Sequence, residues 1–289
     1  MNSVYRKANI LYVPALIMLV WFIIYPFLDG LRISFTNWNG FSQNYRYIGL
    51  GNFLRIVKDE NFFVSLKNTL FYGFGSTFLQ QILGLSTALL LNGAFRGRDA
   101  IRTIIYLPAM ISGVIMGFMW RYLTEYQGAL NDIVLLFGKD PVLWLSSTEV
   151  TVPLMVIINS FQYYGISMII YLAGLQGIPR IYYEAANIEG AETPVIFFKI
   201  TLPLLYPSFM TSVMINLIGG LKLFDVIKAL TGGGPGYTTH SLATFIHVTY
   251  FASQNAGFAA AVGFALFALI LVITLAVQMV FRKNEVEYL

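Results

Sequence analysis

Six stretches of this 289-residue chain are each long enough, and free enough of charge, to cross a lipid bilayer. They run from Ile10 to Leu28, Thr69 to Leu91, Thr103 to Trp120, Val150 to Leu175, Leu204 to Leu221 and Ala256 to Phe281. At about 1.5 Å per residue, a helix of roughly 20 residues spans the roughly 30 Å of hydrocarbon. A helix also pairs every backbone N–H and C=O internally, which a lone strand or loop in lipid cannot do. The sequence therefore predicts an all-α polytopic membrane protein with six transmembrane helices, forming one domain over residues 1–289. Composition agrees: 57% of residues are hydrophobic and 11% charged, against about 25% charged in soluble domains.

The first run follows Arg6 and Lys7, as in a signal peptide, but its apolar core is too long and no small-residue cleavage site follows. It is expected to stay as a signal anchor. An even number of spans puts both termini on one side. With the termini inside, the inner segments hold Arg6, Lys7, Arg96, Arg98, Arg102, Arg180, Lys199, Arg282 and Lys283, and the outer ones Arg32, Arg46, Arg55, Lys58, Lys67, Arg121, Lys139, Lys222 and Lys228. That count is balanced and decides nothing. The density of "FRGRDAIR" favours termini inside, because short connections carry the charge bias. A net charge of +4, scattered along the loops, suits lipid headgroups rather than nucleic acid.

Several chemistries are missing. There are no cysteines, hence no disulfide, thiolate or lipid-modified cysteine. "TGGGPG" and "FGKDP" lack the Lys-Ser/Thr pair of a phosphate-binding loop, so no nucleotide binds by that route. His240 and His247 share one outer loop with no carboxylate at ligand spacing, so no metal and no cofactor are expected. No catalytic constellation stands out, and the chain is not read as an enzyme. None of the six runs carries an ionisable residue, which argues against a proton- or ion-coupled transporter. Lys222 and Asp225, just past the fifth run, have i, i+3 spacing that fits either an interfacial ion pair or a part in gating. The outer segment from Asp29 to Asn68 is aromatic and turn-rich, as in a folded cap at the membrane surface; the two later outer loops have apolar spacing that suits short interfacial helices.

One connector stands apart from all of this. "YYEAANIEGAETPVIFFKITLPLLYP", Tyr182 to Pro207, carries Glu184, Glu189 and Glu192. In hydrocarbon these three would cost about 8 to 10 kcal/mol together. The segment at about 176–203 therefore lies outside the membrane. Ala185, Ala186, Glu189 and Gly190 fall on one side of a helix, a small-residue stripe that admits another surface. That surface is either the chain's own bundle or a partner. Pro194 is expected to disrupt this helix and Pro203 to open the next span.

Glu184, Ala185, Ala186, then Gly190 after three residues, then Ile200 after nine, Leu202 and Pro203 reproduce at full spacing the EAA motif of membrane subunits of binding-protein-dependent ABC importers. "RTIIYLPAMISGVIMGFMWRYL", "YQGALND", "LAGLQGIPRIYYEAANIEGA", "LTGGGPGYTTHSLATFIHVTYF" and "GFAAAVG" extend the likeness over most of the chain. They resemble the carbohydrate branch, which contains maltose, glycerol-phosphate and multiple-sugar permeases, and its first permease type.

That resemblance implies a type I importer permease fold in the bacterial cytoplasmic membrane, with the EAA segment as a cytoplasmic coupling helix. By the motif match, Glu184, Ala185, Ala186, Glu189 and Gly190 would dock on an ATPase subunit, with Ile200, Leu202 and Pro203 shaping the exit. The partners implied are a dimeric ATPase, a second permease subunit forming a heterodimer, an extracellular solute-binding protein and a sugar substrate, with both termini cytoplasmic. Transport would proceed by alternating access. For the solute path the polar and aromatic interruptions of the third, fourth and fifth runs are the candidates: Ser112, Asn159, Phe161, Gln162, Tyr163, Tyr164, Ser212, Asn216 and Gly220. Sugars need hydroxyl partners and flat apolar faces, but Ser, Asn, Gln and Gly also hold helices together. Both readings stand for each of these residues.

Overall fold

The computed structural model describes residues 12–282. Arg6, Lys7, Lys283 and the start of the first run at Ile10 lie outside the described residues. Among these, the elements in order are α1 (Tyr12–Ser34), α2 (Gly51–Ile56), α3 (Glu60–Asn92), α4 (Arg98–Met110), α5 (Gly113–Leu123), α6 (Ala129–Leu136), α7 (Thr148–Gly177), α8 (Arg180–Ile188), α9 (Thr193–Leu204), α10 (Tyr206–Leu221), α11 (Asp225–Leu230), α12 (Leu242–Phe251) and α13 (Ala256–Arg282). Short π-helical turns interrupt α1 at Val20–Ile24 and α9 at Phe197–Thr201. No strand occurs among the described residues beyond an isolated bridge between Thr36 and Tyr47.

Four helices, α1, α3, α7 and α13, are long and apolar enough to cross a membrane; α4 and α5 make a fifth candidate only as a pair bent by 97°. The third run is therefore not the straight span that its hydropathy predicts. Pro108 sits inside α4, and Ile111 and Ser112 are extended, with ψ near 136° in both. Proline removes one helical hydrogen bond and is a common cause of sharp kinks. The fifth run appears as α10, only 16 residues long, entered through α9. Pro203 lies within α9 and does not open α10, whose first turn holds Pro207 instead.

α3 shows how the sequence selects its buried side. Its buried residues include Ser65, Asn68, Thr69, Tyr72, Gly73, Ser76, Thr77, Gln80, Gln81, Gly84, Ala88 and Leu91, recurring at three and four residues. Phe71, Phe74, Phe78, Ile82 and Leu90 point outward and are exposed. The small and polar stripe faces protein while the large apolar residues face lipid, the inverse of a soluble amphipathic helix.

The chain forms two compact units. The first comprises residues up to Glu60 together with Phe245–Phe267. In it, Asn52 Nδ2 donates to the Ser34 and Thr36 carbonyls, both at 2.8 Å, closing the end of α1. Phe27 packs edge-on against Phe264 and Phe267 at 5.0 and 5.3 Å between centroids. The turn-rich segment after α1 is ordered by Asn39, which caps the Phe41 and Ser42 amides, and by the Trp38 indole, which donates to the Ser42 carbonyl. This segment is thus folded, as its turn-rich sequence predicts.

The second unit comprises Asn61–Thr244 and the chain from Ala268. α7 runs through its centre and packs against α4 and α10, while α11 packs on α5. One apolar cluster joins Tyr72, Met116, Met155, Ile158 and Ile227; another, further along α7, joins Ala88, Met168, Tyr171, Leu175 and Leu205. Glycines set the closest approaches. A Cβ on Gly220 would stand 2.9 Å from the Gly73 Cα, and one on Gly165 2.6 Å from the Ile105 carbonyl oxygen. In "FRGRDAIR", Arg102 donates through Nη2 to the Leu91 carbonyl at 3.1 Å, holding the last turn of α3, and both Arg98 and Arg102 pair with Asp99. Such an arginine complements the negative end of the helix.

Candidate functional site

Where α3, α5, α7 and α10 meet the start of α11, they enclose a cavity of about 310 Å³. That lies at the lower end of the range for small-molecule sites, roughly 300 to 1,000 Å³. Its polar wall consists of Gln80, Asn159, Tyr163, Asn216, Lys222 and Asp225, and Gly113, Gly219 and Gly220 open room between them. Asn216 Nδ2 donates to Ser167 Oγ at 2.6 Å and to Ser212 Oγ at 3.3 Å. This fixes the amide between α7 and α10.

Four of the sequence-predicted path residues, Asn159, Tyr163, Asn216 and Gly220, border this cavity. The remaining five do not. Ser212 is buried beneath Asn216 as a hydrogen-bond partner. Gln162 is completely buried, and its Nε2 donates to the Ile111 carbonyl at 3.0 Å. Phe161 and Tyr164 form a ring cluster with Trp120, at 6.0 Å from Phe161 to Trp120 and 6.4 Å from Phe161 to Tyr164. Ser112 is the residue before α5 at the bend. On α7, Asn159 and Tyr163, four residues apart, share the cavity face, whereas Gln162 lies about 100° round the helix from Tyr163 and reaches the Ile111 carbonyl.

Three of the polar wall residues were not among the sequence-predicted path residues. Gln80 lies mid-way along an apolar run, and the argument that an amide in lipid must face protein or a wet cavity applies to it as well as to Asn216. Its neighbour Gln81 takes the packing role, accepting from the Tyr171 hydroxyl at 2.5 Å. Lys222 and Asp225 border the same space but form no ion pair among the described residues. The i, i+3 rule holds within one helix. Here Lys222 ends α10 and Asp225 begins α11, with Leu223 and Phe224 between them.

The polar connector is helical where expected, but α8 ends at Ile188 and the small-residue stripe does not continue along it. Gly190 has φ +72°, its N–H bonds the Asn187 carbonyl at 3.1 Å, and the Ala191 N–H bonds the Ala186 carbonyl at 2.9 Å. These are the paired bonds of a Schellman cap with glycine at its left-handed position. Gly190 therefore terminates the helix rather than widening its face, and nothing lies within 4 Å of where its Cβ would be. Ala186 is buried on its own chain, while Glu184, Ala185 and Glu189 are exposed. Ile181 and Ile188 are 68% and 85% exposed. Past the cap, Pro194 opens α9 instead of breaking α8. The Tyr183 hydroxyl meets Thr201 Oγ1 at 3.3 Å, joining α8 to α9; Ile200 is half-buried there, and Leu202 and Pro203 are exposed.

Comparison with known proteins gives a consistent result. The chain is 34% identical over 286 residues to the trehalose/maltose transport system permease protein MalF of Thermococcus litoralis, covering 97% of each chain. It is 30% identical over 278 residues to the multiple sugar-binding transport system permease protein MsmF of Streptococcus mutans, covering 96% of this chain and 95% of that one. Among solved structures it matches a chain of a bacterial alginate ABC transporter, in complex with alginate pentasaccharide-bound periplasmic protein. The TM-score is 0.82 at 27% identity, over 99% of this chain and 98% of that chain. Residues 80–286 match the family described as binding-protein-dependent transport system inner membrane component. The chain belongs to that family: it is a helical inner-membrane subunit with the type I ABC importer permease fold.

Proposed function

We propose that this chain is one of two permease subunits, forming a heterodimer, of a carbohydrate importer. It takes a sugar or oligosaccharide from an extracellular solute-binding protein and passes it inward by alternating access. ATP hydrolysis belongs to a separate dimeric ATPase, so the chain itself is not an enzyme. The transport names of its relatives and the alginate importer structure support the carbohydrate class. All residues act here as a single transmembrane domain with both termini cytoplasmic.

The observation that carries this reading is α8. A short helix that opens the EAA motif is capped, anchored through Ala186, and leaves apolar side chains at Ile181 and Ile188 uncovered by its own chain. An uncovered apolar face on a polar connector fits a protein partner. On this reading Glu184, Ala185 and Ala186 on the coupling helix, with Glu189 and Gly190 in its C-terminal cap, dock on the ATPase, and Ile200, Leu202 and Pro203 pass the displacement into α10. The cavity bordered by Asn159, Tyr163, Asn216 and Gly220 is this chain's half of the solute path. ATPase closure would then bias the equilibrium between inward- and outward-open arrangements.

Reconstituting the whole importer in vesicles tests this. Uptake of sugar should require ATP and stop when only the partner ATPase is inactivated. Uptake that persists with this chain alone would make it a channel or secondary transporter.

A further inference from the structure

The entry to α10 is held on two sides. Leu205 and Ser208 seat against the C-terminal part of α7, where a Cβ on Gly174 would stand 2.8 Å from both Leu205 Cδ1 and Ser208 Cβ. Tyr206 and Phe209, three residues apart on a neighbouring face, grip the end of α13 instead. The Tyr206 hydroxyl donates to the Phe281 carbonyl at 2.6 Å, and the Tyr206 and Phe209 rings meet the Phe281 ring edge-on at 5.8 and 5.6 Å between centroids. Phe281 lies in the last turn of α13, whose carbonyls have no partner within the helix. From Phe267 to Phe281 no residue of α13 is buried, so burial does little to fix this part of the helix in place.

The two grips transmit different things. α7 leads into α8, and α8 returns through α9 to α10, with the Tyr183 hydroxyl against Thr201 Oγ1. A push on α8 therefore reaches the end of α7 and the entry of α10 along the chain itself. α13 has no such link and follows only through side-chain contact. Apolar contact alone lets helices slide in a bilayer, because lipid tails are as apolar as the side chains. A directional bond to a backbone carbonyl fixes the register. From this arrangement we propose that Tyr206 latches α13 to the coupling segment, so that the entry of α10 and the end of α13 shift as one body when the ATPase closes. The inference rests on the importer reading and concerns how its stroke spreads through the spans. Tyr206 acts as a positioning residue and touches neither solute nor nucleotide.

The test uses the assembled importer in lipid vesicles, cysteine-free except for Thr211→Cys and Met279→Cys, which put spin labels at exposed positions on α10 and α13. This chain has no cysteine of its own to remove. The distance between the labels is measured by pulsed electron paramagnetic resonance without nucleotide and after trapping with ATP and vanadate. With Tyr206 in place the distance should be the same in both states. In Tyr206→Phe combined with Phe281→Leu it should shift on trapping by a few ångströms, the scale of helix displacements in switching proteins, and in Tyr206→Phe alone by less. A contact that only stabilises the fold would lower the yield of complex without making the distance depend on nucleotide. Should the double variant fail to assemble, Tyr206→Phe, which deletes a single oxygen, carries the test. A distance that changes on trapping with Tyr206 in place, or that stays constant in every variant that assembles, overturns the latch and leaves the importer reading intact. A complex with Tyr206 in place that traps no nucleotide removes both.

Discussion

Gln162 and Ile111 meet across two helices: the side-chain amide of Gln162 donates to the carbonyl of Ile111, at the bend between α4 and α5, at 3.0 Å. A break inside a span exposes backbone groups that lipid cannot satisfy. Gln162 supplies the partner from α7. Gln162→Leu should therefore destabilise the chain by about 1 to 3 kcal/mol and lower the melting temperature of the detergent-solubilised complex. Its ranking of two sugars should not change. Altered sugar preference at normal stability would return Gln162 to the solute path.

Asn216 gives the opposite expectation. It borders the cavity and links Ser167 to Ser212, so Asn216→Ala removes a cavity-wall amide together with an interhelical bridge. Uptake per assembled complex should fall and the ratio between two sugars should shift. A uniform loss that merely follows complex abundance would mark the residue as packing alone.

Gly190 is tested through its backbone. Alanine at φ +72° is strained by roughly 1 to 2 kcal/mol, yet no neighbour obstructs the side chain. Gly190→Ala should fray the end of α8 and weaken ATPase capture in a pull-down, while Gly190→Asn, tolerant of that conformation, should stay close to wild type. Equal capture by all three would separate the cap from docking.

Gly220 should tolerate no side chain at all, because it faces the backbone of Tyr72 and Gly73. Gly220→Val would place its Cβ within 2.9 Å of the Gly73 Cα, and overpacking of this kind costs about 1 to 3 kcal/mol. Because the obstruction is backbone rather than a flexible side chain, the expected readout is loss of folded protein in size-exclusion chromatography. A monodisperse, thermally normal variant would show that α3 and α10 can move apart freely.

The long helices and the connector were legible because both depend on composition over many residues. Apolar runs predicted α1, α3, α7 and α13, and the EAA spacing located α8. The bend at Ile111 and Ser112 was missed although Pro108 stood in the sequence: hydropathy carries no direction, and a proline inside a membrane-spanning run need not break it. Gly190 was misplaced for a different reason. Periodicity continues past the point where a helix ends, and a glycine suits a small-residue face as well as a cap. Among the path residues, an amide in an apolar run signals an inward-facing position without saying toward what. Asn216 and Gln80 border the cavity, Gln81 and Gln162 make interhelical bonds, and only the rotation of each helix separates them.

The loop between α11 and α12 contains Gly232, Gly233, Gly234 and Gly236 and has no regular structure before Leu242. Such a segment would ordinarily be among the first to open. Here Asn68 donates to the Thr238 and His240 carbonyls, the Tyr72 hydroxyl donates to the Thr239 carbonyl, and Thr69 Oγ1 accepts from the Leu242 N–H, all from one face of α3. The loop is thereby fastened to the same helix that carries Gln80. Its Leu242 amide should exchange with solvent as slowly as the core of α3 itself. In a transport cycle the segment would travel with α3 as one body, so its timing is set by helix rearrangement in microseconds to milliseconds and not by the nanosecond flicker of a free loop.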